Sequence, residues 1–203
     1  MGNIITLEPI EKTLMTVRIE GTSPFIQHKW DEKALQMMRD KHAGIRVKNR
    51  DAREPEQEFR NASYKLADGR YGFPAGGIKA CLTGAAHKDI GLEKTLLKKS
   101  LFIRPDDFEN NLVALETDEP VMREDVVRVG SGSTDLRYRP MFTNWAMTLK
   151  FEYDSKALTQ SAILNLIERA GFGIGLGEWR PEKGGEFGRF RLDREFAILE
   201  EAA

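Results

Sequence analysis

The sequence holds a single cysteine, Cys81, among its 203 residues. That excludes an intramolecular disulfide and any cysteine-rich zinc site, and it fits a reducing, cytoplasmic setting. Its three histidines, His28, His42 and His87, lie far apart. No histidine-based metal site and no cofactor are expected. No apolar run approaches the ~18 residues of a membrane span. Neither sign of charge dominates: 31 Lys and Arg stand against 32 Asp and Glu, for a net charge of −1. A uniformly basic nucleic-acid binder is thereby excluded, and any such binding must come from locally concentrated Arg and Lys. A GxxxxGK[ST] phosphate loop is also lacking. Gly173, Gly175 and Gly177 do form a short run, but it follows a helical pattern and precedes Pro181. A dinucleotide fingerprint needs the opposite order, strand before and helix after.

What is present is enough for one domain over 1–203. The chain is 40% hydrophobic and 31% charged, which supplies a core and a soluble surface. Thr13 to Glu20 and Trp145 to Tyr153 alternate polar and apolar residues and read as half-buried strands. Thr159 to Ala170 reads as an amphipathic helix, with Ala162, Ile163, Leu166, Ile167 and Ala170 on one face. Asp31 to His42 reads as another helix, for which Asp31 is a possible cap. Residues 44–70 form the most polar part, a surface insertion of mixed charge. Within Tyr71 to Asp89, Gly72, Pro74, Gly76 and Gly77 read as a tight loop. A helix follows, with Lys79 in its first turn, where unpartnered amides favour an anion. Residues Glu195 to Ala203 read as a fraying tail.

Two stretches stand out chemically. Gly171 to Leu192 reads GFGIGLGEWRPEKGGEFGRFRL and holds seven of the 18 glycines, including Gly184, Gly185 and Gly188. Among them sit Trp179, Arg180, Lys183 and Arg189. Cations and flat rings on such a loop suit phosphates and unstacked bases; a helix-to-strand connection that needs glycine for geometry alone is the plainer alternative. The second stretch, 118–140, carries Arg123, Arg128, Arg137 and Arg139 around Gly130-Ser131-Gly132-Ser133. It reads as a projecting hairpin arm, either contacting a phosphate backbone or pairing internally with Glu119, Glu124, Asp125 and Asp135. Taken in order, the elements imply an α+β, ferredoxin-like (RRM-like) antiparallel sheet with helices on one face and long insertions.

Three pieces resemble the RAMP superfamily, and in it the single-domain backbone subunits that hold crRNA in CRISPR effector complexes. Thr22-Ser23-Pro24-Phe25-Ile26-Gln27 is similar to that family's "sPLhiG" turn after the first strand. Phe73-Pro74-Ala75-Gly76-Gly77-Ile78-Lys79-Ala80-Cys81-Leu82 resembles "iPgsSlKGalR", with Lys79 at the lysine position. The segments Gly175-Leu176-Gly177 and Gly185-Glu186-Phe187-Gly188-Arg189-Phe190 resemble the glycine-rich "lGgxxxxGyGrv". The family's hairpin thumb would fall at 118–140. Gly77 and Ala80 depart from the usual serine and glycine, as in a divergent relative of the kind a phage or mobile element encodes. The resemblance implies a non-enzymatic subunit that binds RNA or single-stranded DNA and forms a homo-oligomer along it, without a membrane. It also implies a possible catalytic aspartate after the first strand, for which Asp31 is the candidate and an Asp-dependent ribonuclease the corresponding activity. An assembly protein of the same fold that binds no nucleic acid is the other reading, favoured by the near-neutral charge.

Overall fold

The structure, a computed structural model, describes residues 9–45, 53–87, 91–129 and 132–202. In chain order the first half contains β1 (Lys12–Gly21), β2 (Phe25–Ile26), α1 (Glu32–His42), α2 (Pro55–Asn61), β3 (Tyr64–Lys65), β4 (Tyr71–Pro74), α3 (Ala75–Ala85) and α4 (Lys94–Ser100). The second half contains β5 (Leu101–Arg104), β6 (Leu112–Ala114), β7 (Glu116–Thr117), β8 (Val121–Val129), β9 (Ser133–Phe142), β10 (Trp145–Asp154), α5 (Gln160–Gly173), β11 (Phe190–Leu192) and β12 (Leu199–Ala202).

The main sheet has the order β11-β1-β10-β5 with antiparallel neighbours throughout. Helix α3 lies in the connection from β1 to β5, and α5 connects β10 to β11. That is the split β-α-β arrangement of a ferredoxin-like fold. Period two explains the strands: Met15, Val17 and Ile19 of β1 are buried with Met147, Leu149 and Phe151 of β10. Period 3.6 explains the helices: Ile78 and Leu82 of α3 and Ile163, Leu166, Ile167 and Ala170 of α5 join the same core. The Thr159 hydroxyl caps α5 by accepting from the Ala162 amide at 3.2 Å. The two helices touch where the Cys81 thiol donates to the Ala170 carbonyl at 3.8 Å. The sheet's other face carries ion pairs: Arg18 meets Glu116 at 2.8 Å and Asp193 at 2.6 Å, and Lys150 meets Asp106 at 2.9 Å.

Two smaller sheets flank this body, β2-β9-β8 and β3-β4-β6. An aromatic cluster ties all three sheets together. Phe25 lies 5.1 Å from Trp145, 5.2 Å from Phe73 and 5.9 Å from Phe142, between ring centroids. Trp145 in turn meets Phe190 at 6.3 Å. Such contacts add to the area each ring buries. Here they fix the base of the β8–β9 hairpin to the body.

Three expectations are corrected. The tight loop at Gly72–Gly77 is absent: Gly72 lies in β4, Gly76 and Gly77 lie in α3, and the strand runs straight into the helix. Gly77 lets the Phe73 ring pack against the helix, since a Cβ there would sit 2.9 Å from that ring. Lys79 is therefore the fifth residue of α3, past the first turn. The expected tail also gains order, since β12 pairs with β1 from Thr13↔Ala202 to Thr16↔Leu199. The Gly130-Ser131 part of the arm's tip, and Arg46, Lys48, Arg50 and Asp51 of the insertion, lie outside the described residues.

Candidate nucleic-acid interface

The arm is a regular hairpin, and its register sorts its residues. Val121↔Met141 through Val129↔Ser133 are paired. Directly opposed residues share a face and successive ones alternate. Arg123, Asp125, Asp135, Arg137 and Arg139 therefore share one face. Arg128 belongs to the other, with Met122, Glu124, Val126, Leu136 and Tyr138. No ion pair involves Arg128 among the described residues.

The three arginines of the charged face are all paired internally. The Arg123 Nε donates to Asp125 Oδ1 at 2.8 Å, and Arg137 Nη2 lies 3.0 Å from Asp135 Oδ2. Arg139 has a side chain only 6% exposed. Its Nη1 is 3.6 Å from Asp125 Oδ2 and its Nη2 is 3.9 Å from Glu178 Oε2. Both contacts exceed hydrogen-bond length. Asp125 Oδ2 and the Nε and Nη1 of Arg139 are buried without a hydrogen-bond partner among the described residues. From the insertion, Arg53 bridges Asp135 at 2.5 Å and Glu58 at 2.8 Å, and α2 packs on β9.

Glu178 belongs to the glycine-rich loop, which leans on β2 and on the arm. The Glu178 amide donates to the Ile26 carbonyl at 2.9 Å. Gly177 permits this approach: it has φ +73°, and a Cβ there would lie 2.2 Å from that same carbonyl oxygen. Gly185 passes just as close to Trp179, whose carbonyl oxygen a Cβ would meet at 1.8 Å. Trp179 itself has φ +53° and is 42% exposed. A bulky residue in the left-handed region is strained. The Phe187 amide donates to the Trp179 carbonyl at 3.1 Å, and the Phe187 ring lies 4.8 Å below the Arg123 guanidinium. Trp179, Phe187, Arg123 and Arg139 thus stand together where the loop meets the arm.

His28 lies half-buried in the same corner. Burial first, and then the positive charge of Arg139, push its pKa below the ordinary value, with Arg137 adding to this and Glu178 and Glu58 opposing it. The neighbouring Tyr64 hydroxyl is pushed up by burial and by Glu178.

Other expected residues fall elsewhere. Lys79 donates to the Lys98 carbonyl at 3.0 Å and lies 4.2 Å over the Phe102 ring, at the β5 edge of the sheet. Arg180 turns inward, donating to Gly177 O at 2.9 Å and to Glu182 at 2.7 Å. Lys183 is exposed in a single 3-10 turn, Pro181–Lys183, which Gly184 ends at φ +79°. Gly175 at φ +72° and Gly188 at φ +69° shape the loop's two legs. Gly173 ends α5 with open space around it. Arg189 is anchored by its amide, which donates to Ser23 Oγ at 3.0 Å, and its guanidinium lies 5.4 Å over Phe172. Asp31 is fully engaged: Oδ1 accepts from the Lys33 amide at 2.7 Å as the α1 cap, and Oδ2 accepts from Asn61 at 2.6 Å.

The sequence reading does not mark Glu178, Arg53 or Phe172 as site residues. Only the run of alternating charge and rings in Glu178 to Arg189 carried a signal for any of them.

No protein-family model matches the chain, and no curated protein matches it. Among solved structures it is similar to a chain of the Type III-B Cmr-beta complex, determined by cryo-EM bound to cognate target RNA, with 11% identity and a TM-score of 0.49. The match covers 95% of this chain and 61% of that one, so this chain spans about three fifths of that neighbour's length.

Proposed function

We propose that this chain is a non-enzymatic subunit that binds RNA or single-stranded DNA and oligomerises along it in the cytoplasm, as a divergent RAMP-like protein. The observation that carries this reading is Trp179. A large ring is held half-exposed in a strained backbone, beside a guanidinium stacked on a second ring. Strain at a bulky residue persists only where the surroundings enforce it, and it concentrates at functional positions. Stacking on such a platform suits single strands of any sequence, since every base has a π face.

The electrostatics set the form of the test. Three free arginines contacting a single strand would give a salt slope of about −2 in log K against log salt. Here carboxylates already neutralise Arg123, Arg137 and Arg139. The slope should therefore be shallower, with stacking supplying most of the affinity. Fluorescence anisotropy on labelled single-stranded RNA, single-stranded DNA and duplex checks this, with light scattering to follow assembly. Binding of single strands in preference to duplex, with quenching of tryptophan emission, is expected. Absence of binding at low salt overturns the reading. It would favour an assembly protein, which the internal pairing of the arm's arginines equally suits.

A further inference from the structure

We propose that Phe172, Arg169 and Arg189 form a second nucleotide station, extending the interface from the arm to the last turns of α5. The proposal rests on the single-strand reading above and adds to it a path and a length. Phe172 is 73% exposed near the end of α5, and the space around the adjacent Gly173 is open. Arg189 lies 5.4 Å over its ring. The backbone of Arg189 is fixed at both ends of the residue: its amide donates to Ser23 Oγ at 3.0 Å and its carbonyl accepts from the Thr22 amide at 2.8 Å. The guanidinium is thus presented from a rigid base.

The carboxylate partner of Arg189 is more exposed, and so more screened, than those of the arm's arginines. The Nε of Arg189 is buried without a hydrogen-bond partner among the described residues. Its ion pair is with Glu186 at 3.5 Å, and that carboxylate side chain is 84% exposed. Arg169 precedes Phe172 by three residues on α5, so the two share a side of the helix. Arg169 is exposed and has no ion pair among the described residues. A ring, a guanidinium plane stacked on it and a free cation one turn away are the parts needed for one base and one phosphate.

The two stations are joined by the chain itself. Phe187 stacks under Arg123 and Arg189 stacks over Phe172, with only Gly188 between Phe187 and Arg189. A single strand that stacks on Trp179 at the arm's base can continue along this segment to Phe172.

The test is anisotropy with single-stranded oligonucleotides of about 4 and about 16 nucleotides. The native protein should bind the longer strand more tightly than site counting alone gives. In Phe172→Ala the long strand should lose about 5- to 150-fold in affinity, and in Arg169→Ala it should bind more weakly with a shallower salt slope. Phe172→Tyr should keep the native value, because the ring is kept. Trp179→Ala should weaken both lengths. If Phe172→Ala and Arg169→Ala, folded by their melting curves, bind the long strand as the native protein does while Trp179→Ala weakens it, the second station is overturned and the single-strand reading stands. If the native protein binds neither length, the single-strand reading itself falls.

Discussion

Replacing Trp179 by alanine and, separately, by glycine separates the backbone from the ring. Trp179 sits at φ +53°, where a side chain costs about 1–2 kcal/mol. Glycine adopts that conformation freely but usually loses about 0.4–1 kcal/mol to alanine through the entropy of the unfolded chain. The balance favours glycine by about 0–1.6 kcal/mol, the reverse of the usual order. Both variants lose the packing of a ring that is 42% exposed, so both should be less stable than the native protein. Both should also lose the stacking platform, a loss of about 1–3 kcal/mol or about 5- to 150-fold in Kd. Urea melts give the stability order and anisotropy gives Kd. An alanine variant more stable than the glycine variant would refute the strained loop. Native affinity in both would refute the platform.

Four further outcomes are expected. Gly185→Ala should displace the loop, since its Cβ would meet the Trp179 carbonyl at 1.8 Å; a stability loss of about 1–3 kcal/mol in urea and weakened binding check this. Phe25→Ala should cost about 3–5 kcal/mol in the same melts, because Phe25 is 0% exposed and contacts Phe73, Phe142 and Trp145. His28 has a folded pKa below its unfolded value of 6.5, so the unfolded chain binds the extra proton. Stability should then fall as pH drops from about 6.5, and His28→Gln should flatten that slope in melts at stepped pH. Asp125→Ala should cost about 3–5 kcal/mol by leaving Arg139 buried beside no arm carboxylate, whereas Asp125→Leu with Arg139→Met should be close to neutral. Equal stability of the single and double variants in urea would mean that this corner is solvated.

Much of the frame was legible because it rests on periodicity. β1, β10 and α5 each carry the spacing of a surface against one core, and the hairpin is marked by strands either side of Gly130–Ser133. What was not legible depends on partners distant in sequence. β12 reads LEEA, with little alternation, and exists through its pairing with β1. Glycines at 76 and 77 signal a break by propensity, but the Phe73 ring needs the missing Cβ and the helix forms over them. Lys79 reads as a first-turn residue, and the actual start of α3 puts it just past that turn, where it donates to the Lys98 carbonyl. At the site, the excess of arginine in the arm was readable but its destination was not. Glu178 reaches Arg139 across the fold, and no local pattern announces that contact or the positive φ of Trp179.

The balanced net charge and the crowded arginines have one explanation. A corner built from Arg123, Asp125, Arg137, Asp135 and Arg139 holds part-buried ion pairs within the arm, and Arg139 with Glu178 adds one from arm to loop. Charges used this way hold geometry and are largely cancelled toward solvent, so they add little long-range attraction for a polyanion. Among the surfaces left over near the loop are the rings of Trp179 and Phe172. A ligand that binds here must then be recognised mainly by its flat faces and only locally by its phosphates. Unpaired bases offer such faces, whereas a duplex hides them in its stack.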